Sequence, residues 1–481
     1  MKNTTTLDPA IPPSESGFLE SIAIGVARWS ERWFPDAYVF AAIAVAAVAL
    51  GALAIGAPAT RVAQTFGDGF WSLIPFTMQM AMIAITGYVV AVSTPASKLI
   101  AMLARVPRSG RAAITFVALI SIGLSMFNWA ISLVFSGLLV RALARRDDLR
   151  MDYRAAGAAA YLGMGATWAL GLSSAAAQLQ ANPASLPKAI SDITGVLPFS
   201  QTIFLPQSLI MAAALAVVSL AIAWCSAPRD ARVVTAADLE VDLSEASMPA
   251  SRAQRPGDWL EHSPLLTIVL VALGAGWLVH EFTTRDPLLA ISNLNTYNFL
   301  FLMLGMLLHW RPYRFLQAVK TSVPSVAGVL IQFPLYGGIA FMLTKAAAPG
   351  GEALSHVLAA FFVSVSSHVS FPAVMGAYSA ILGFFVPSGG GKWIIEAPYV
   401  MQAANDLRVH LGWAVQVYNA AEALPNLINP FWMLPLLGVL GLRARDIVGF
   451  TFTQLIVHVP LVLILLTVLA RTLEFVPASM H

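Results

Sequence analysis

Stretches of mostly apolar residues, each near the roughly 20 needed for a helix to cross a bilayer's hydrocarbon layer, recur nine times in this chain. They fall at 37–57, 72–92, 155–178, 204–224, 264–281, 294–310, 324–344, 411–437 and 447–470. The charge content decides which solvent suits them. Of the 481 residues only 11% are charged, against roughly 25% in an average soluble domain, too few to coat a globule of this size. The pattern predicts an all-α membrane protein, a polytopic helical bundle with the lipid bilayer as partner. The net charge is +3, and its basic residues sit in short clusters without interleaved aromatics, which argues against nucleic acid. Cys225 is the single cysteine, so no intrachain disulfide or Cys-based metal site is expected.

Residues 1–16 are polar, with no basic segment leading into an apolar core, so no signal peptide is expected. From Phe18, the residues Ile22, Val26, Trp29 and Trp33 continue at helical spacing between charges. This fits either a helix lying on the membrane surface or a soluble lead-in helix packed on the first span.

Two further apolar stretches, 112–140 and 372–404, carry more information. The first is bracketed by Arg105, Arg108 and Arg111 on one side and by Arg141, Arg145, Arg146, Arg150 and Arg154 on the other. Basic loops prefer the cytoplasm, so both ends belong on one side, yet 29 residues cannot make two full spans. A re-entrant hairpin with its tip at Ser125–Trp129 resolves this, and such hairpins occur where they line a cavity or are buried in protein. With the N-terminus cytoplasmic, 21 Lys and Arg fall inside and 6 outside, with Lys392 in the membrane. The segment 353–371 is expected to be interfacial, because counting it as a span would upset this scheme.

Residues 226–263 are Pro-containing and rich in acids and Arg, and read as a flexible cytoplasmic linker. The expected organisation is an N-terminal cytoplasmic or interfacial helix (1–36), a first transmembrane repeat (37–225), the linker (226–263) and a second repeat (264–481). The halves echo each other in order. Ala37–Phe40 matches Thr296–Phe299, Ile74–Met80 matches Val329–Phe333, Asn128 matches Pro387-Ser388, and 168–183 matches 419–432. The span at 264–281 would turn the second copy over, giving two inverted-topology repeats, each with a re-entrant hairpin and a discontinuous helix. Such repeats place a substrate near the midplane between them.

Phe385-Val386-Pro387-Ser388-Gly389-Gly390-Gly391-Lys392-Trp393 interrupts an apolar stretch. Consecutive glycines are costly in a helix, so a break is expected there, with a half-helix beginning near Lys392. Backbone N–H groups of Ser388, Gly389, Gly390 and Gly391 can then approach a carboxylate at a positive helix end. Lys392 can add charge or snorkel to the surface. At the other tip Asn128 can bind a ligand, cap its own half-helix, or do both, beside Trp129. Ser173 and Ser174 suit a ligand, or hold helices together. In the second discontinuous span Glu422 and Asn426 stand at i, i+4 and share a face on any helical portion, which makes Asn426 a further substrate-ligand candidate.

Of the 25 acidic residues, only Glu396 and Glu422 fall in the interior of expected membrane regions, with Glu281 at the very end of one. Ionisable groups at that depth are usually functional. Glu422, Asn429 and Glu396 are therefore candidates for coupling to a proton or sodium ion, and Glu396 stands at i, i+4 from Lys392, suited to an ion pair. His309, His368 and His458 are isolated, and neither a metal-ligand spacing nor a Gly-x-Ser-x-Gly elbow occurs, so no metal, cofactor or catalytic residue is expected.

The Pro387–Gly391 run with Trp393 and Ala397-Pro398 resembles the signature of bacterial AtoE-type short-chain fatty acid transporters. So do Gly67–Trp71, Asn128-Trp129, Gln332–Pro334 and the stretch from Glu422 to Trp432. The similarity spans about 30–475. It implies a secondary transporter in a bacterial inner membrane that takes up small monocarboxylates such as acetoacetate or butyrate, and leaves open the coupling ion and a homodimeric assembly. Family members often carry His after the glycines and Gln at the position of Glu396, where this chain has Lys392 and Glu396. Two other readings stay open: a passive organic-anion channel, and a membrane-embedded acyl-transfer enzyme using Ser388, for which no activating partner is placed nearby in sequence.

Overall fold

Helices account for the regular structure throughout the described residues, as backbone groups in a lipid solvent require. The computed structural model describes residues 37–146, 148–228, 232–243, 255–285, 287–385 and 388–477; the expected helix from Phe18 to Trp33 lies outside them. The first half runs α1 (Ala37–Ala54), α2 (Ala59–Phe70), α3 (Ile74–Ala91), α4 (Thr94–Leu103), α5 (Gly110–Ser125), α6 (Trp129–Ala144) and α7 (Tyr153–Leu162). A π turn at Gly163–Thr167 and a 3-10 turn at Trp168–Leu170 follow, then α8 (Ala175–Gln180), α9 (Lys188–Thr194) and α10 (Pro206–Ser226).

After α11 (Pro256–His262), α12 (Leu265–Thr284) and α13 (Pro287–Ser292), a similar succession returns. It consists of α14 (Leu294–His309), α15 (Pro312–Ser322), α16 (Ala327–Lys345), α17 (Leu354–Val365), α18 (Phe371–Phe385), α19 (Gly389–Asp406), α20 (Leu411–Asn426), α21 (Pro430–Leu440) and α22 (Ala444–Ala470). Packing follows the same rule of exchange. As α16 lies against α1, α2 and α19, so α3 lies against α14, α15 and α6. The pairs α3–α16 and α10–α22 join the halves directly, and Phe76 stacks on Phe333 with ring centroids 5.7 Å apart.

By length and composition α3, α10, α16, α22 and the run Pro256–Thr284 can each cross a membrane. In α12 the apolar residues Leu270, Leu273 and Val279 are 51%, 69% and 62% exposed, a surface that water would oppose and lipid accepts. The arms α5 and α6 have 16 residues each, about 24 Å of helix, shorter than the ~30 Å hydrocarbon layer. They fold back on each other through a three-residue turn. The 12-residue α17 is shorter still, about 18 Å, and falls where the sequence argued against a span.

Within the connector, the stretch 232–243 is tied to the helix ends beside it. Arg141 on α6 and Arg145 at its C-cap donate to the carbonyls of Asp242 and Leu243 at 2.8 and 2.7 Å, and Tyr153 N–H donates to Val234 O at 2.8 Å. Buried Asp152 caps α7 at Ala155 N (2.9 Å), receives Val234 N (3.0 Å) and pairs with Arg154 at 2.9 Å. Acidic composition suggested flexibility, but arginines at the helix ends supply the partners that pin the chain. Asp152→Ala removes the cap and the connector's anchor together. The expected loss is about 1–2 kcal/mol, read as a lower unfolding temperature and faster proteolysis within 232–243.

Candidate functional site

At the first tip, Asn128 has the extended backbone of an N-cap, and its Oδ1 accepts from Ala130 N and Ile131 N, both at 3.0 Å. Its Nδ2 donates to Tyr297 OH at 3.3 Å, and that hydroxyl donates to Phe127 O, so α14 ties the turn down. Ser125 Oγ lies 3.1 Å from Thr167 Oγ1, and Trp129 meets Trp432 edge to face at 5.5 Å. Asn128 thus has a structural use here, since the three partners of its amide come from the first turn of α6 and from α14.

The second tip corrects one sequence expectation. The helix starts at Gly389, not near Lys392: Ser388 is its N-cap, with Oγ accepting from Gly391 N at 3.2 Å, and the three glycines form its first turn. The break is upstream of the glycines. They are needed for contact, because a Cβ on Gly389 would stand 2.3 Å from the Trp168 ring, one on Gly390 2.9 Å from Phe76, and one on Gly391 2.2 Å from Tyr336. Real Cβ atoms do not approach so closely. Gly391→Ala is therefore expected to overpack this turn by about 1–3 kcal/mol, lowering the unfolding temperature and uptake together; Tyr336→Leu in the same chain should recover part of both.

The first discontinuous span is interrupted where Ser121 Oγ captures Gly163 N–H at 3.0 Å, which takes that donor from its own helix and leaves the π turn behind it. The segment that follows lies between the two tips. Trp168 abuts Gly389, Gly171 comes within 2.5 Å of Met126 O for any Cβ placed on it, and Ala175 faces Gly390. Ser174 caps α8 and donates to Asn419 Oδ1 at 3.0 Å, starting a buried chain through Gln416 and Ser208 that ends on Thr202 O. Trp168 Nε1 and Ser173 Oγ are buried here with no hydrogen-bond partner.

The second interruption, 427–429, precedes Pro430, whose ring disfavours helix in the residue before it. Asn426 Nδ2 reaches Met164 O at 3.5 Å, and Asn429 Nδ2 donates to Phe384 O at 3.2 Å, beside the second tip.

Charge gathers at one point behind that tip. Lys392 Nζ lies 2.9 Å from Glu396 Oε1 and 2.8 Å from Glu422 Oε2, and donates to Ser379 O and Ser379 Oγ, both at 2.7 Å. The three charged side chains are no more than 1% exposed. The lysine's hydrogen bonds to Ser379 and its contacts with both carboxylates fix the ammonium at the centre of the cluster. The ring of Tyr418 lies 4.6 Å from the ammonium, and its hydroxyl donates to Gly389 O at 2.5 Å, linking cluster and tip. Gly383 makes room on α18, since a Cβ there would stand 2.9 Å from Glu422 Oε2. Two carboxylates and one ammonium carry a net single negative charge when all are ionised, and burying that excess without compensation is costly.

Lys392 therefore does not snorkel. Its i, i+4 neighbour Glu396 was visible in sequence, whereas Glu422 joins only because α20 packs across α19. Ser379, Gly383 and Tyr418 were missed. Their one signal was the shared helix face of Ser379 with Gly383 and of Tyr418 with Glu422, each pair at i, i+4. Gly389 and Gly390 meet the Trp168–Ala175 segment and Gly391 meets Tyr336, with Ser388 capping the same turn, while Asn128 and Trp129 belong to the other tip.

A family model described as short chain fatty acid transporter matches residues 18–469. A protein of Escherichia coli (strain K12) named "Putative short-chain fatty acid transporter" is 33% identical over 438 residues, covering 90% of this chain and 95% of that one. One of the same name from Haemophilus influenzae is 32% identical over 448 residues, covering 90% and 96%. Among solved structures the fold is similar to the Alcanivorax borkumensis YdaH transporter, with TM-score 0.53, 15% identity and coverage of 91% and 97%. It is also similar to MtrF of Neisseria gonorrhoeae, described within a class of antimetabolite efflux pumps, with TM-score 0.52, 14% identity and coverage of 94% and 98%.

Proposed function

Because this chain belongs to the short chain fatty acid transporter family, we propose that it is a secondary active carrier that takes up short monocarboxylates, of the acetoacetate or butyrate kind, across a bacterial inner membrane. The observation that carries this reading is the buried cluster Lys392–Glu396–Glu422 directly behind an interrupted helix. Its unbalanced negative charge gives a proton or cation a reason to bind. The substrate carboxylate is assigned to the space between the tips, near the N-termini of α6 and α19, whose dipoles favour an anion. Trp168 Nε1 and Ser173 Oγ, buried donors without partners, support that assignment, because such groups are seldom left unmade. Phe76, Tyr336 and Trp168, which pack on the glycine turn, are apolar neighbours suited to a short hydrocarbon tail.

The recurring element order, with α12 inserted before the second series, supports inverted repeats with α5–α6 and α18–α19 as re-entrant hairpins. The excess of Lys and Arg on one set of loops supports a cytoplasmic N-terminus. The test is uptake of labelled butyrate and acetoacetate into proteoliposomes, with proton and sodium gradients imposed separately. Accumulation above the outside concentration is expected. Equilibration alone would make the protein a passive channel, and no uptake of either acid would remove the substrate assignment.

A further inference from the structure

We propose that Lys392 is a tethered monovalent cation: its ammonium fills an oxygen-lined cation site, so this carrier runs on protons without binding sodium. The inference rests on the transport reading above and names the coupling ion for that same site. Four oxygens from three helices surround Nζ: the carbonyl and hydroxyl of Ser379 on α18 at 2.7 Å each, Glu422 on α20 at 2.8 Å and Glu396 on α19 at 2.9 Å. Carbonyl, hydroxyl and paired carboxylates are the hard ligands that a hard cation takes. Here the fully buried lysine occupies their focus, with Tyr418 closing another side.

A sodium ion bound to the same oxygens would sit against an ammonium that cannot diffuse away, and like charges at contact in a low-dielectric site repel strongly. What the cluster lacks is one positive charge, and a single proton on the Glu396–Glu422 pair supplies it. Among the described residues, the other titratable groups within electrostatic reach of these carboxylates are phenols: Tyr336 on α16, Tyr378 on α18, Tyr399 on α19 and Tyr418 on α20. An ordinary phenol keeps its proton far above neutral pH, so the exchangeable proton belongs to the carboxylates.

Trimming the lysine should convert the cluster into an alkali-ion site. The full chain, purified in detergent, is unfolded thermally in sodium chloride, methylammonium chloride and choline chloride at equal ionic strength. Wild type is expected to show the same midpoint in all three salts. Lys392→Ala, which leaves the oxygens and vacates the ammonium position, should gain at least about 2 °C in sodium or methylammonium over choline. Lys392→Met, which fills the space with an uncharged chain, should gain nothing. Wild-type accumulation in proteoliposomes should follow the proton gradient and ignore replacement of sodium by choline. A sodium-specific rise in wild type, a wild-type requirement for sodium, or a Lys392→Ala protein indifferent to both cations would overturn the proposal. Should Lys392→Ala fail to fold, stoichiometric binding of radioactive sodium to wild type would overturn it, and its absence would support it. Wild-type vesicles that take up neither acid would defeat the substrate reading instead, while the unfolding measurements would still decide the cation assignment.

Discussion

Glu422→Gln is expected to reduce accumulation of butyrate against its gradient to an inside-to-outside ratio near one, while exchange of labelled for unlabelled substrate persists. The cluster explains the split. In wild type two carboxylates share one ammonium, so the compact site favours uptake of one further positive charge. Glutamine keeps the side chain's shape and removes that demand, since Lys392 and Glu396 then balance each other. The cycle no longer needs a proton to proceed, and the gradient loses its grip on the substrate. Because the buried pair left behind is neutral, the unfolding temperature should move little, and exchange should stay within about tenfold of wild type, a barrier change of roughly 1.4 kcal/mol. Full accumulation by this variant would remove Glu422 from coupling.

Lys392→Met is expected to have the opposite profile, with stability as the main loss. Methionine fills much of the lysine's volume but leaves Glu396 and Glu422 facing each other in a site where each is about 1% exposed. Removing one partner of a buried ion cluster costs about 3–5 kcal/mol, because the remaining charge has neither water nor counter-ion. Adding Glu396→Gln and Glu422→Gln to the same chain should restore most of the unfolding temperature, since an uncharged cluster carries no such penalty. An unchanged midpoint for Lys392→Met alone would contradict the charge assignment. A triple variant no more stable than Lys392→Met would place the lysine's role in packing.

The pieces of fold most legible in sequence were those with a one-dimensional signature. Arginines flanking 112–140 on both sides argued for a hairpin with its tip at Ser125–Trp129, and α5 and α6 meet through 126–128. Pro430 stands at the end of the second interruption for a similar reason, because a proline's local restraint needs no knowledge of neighbours. The glycine triplet was harder. Its cost in an isolated helix argued for a break, but the rings of Trp168, Phe76 and Tyr336, brought from three other elements, make glycine the residue that fits a helical turn there. Glu422 illustrates the same limit. Its partner lies thirty positions away on a helix packed across its own, and periodicity along either helix says nothing about that crossing.

The docked connector carries an evolutionary corollary. Arg141, Arg145 and Tyr153 hold it through main-chain atoms of Asp242, Leu243 and Val234, groups that nearly every amino acid supplies. Identity at 234 is therefore free to drift across lineages, whereas the spacing, and Leu243, which packs on a buried apolar cluster, are not. A library randomised at 234 should yield many viable transporters, and a single-residue insertion between 234 and 242 should yield few.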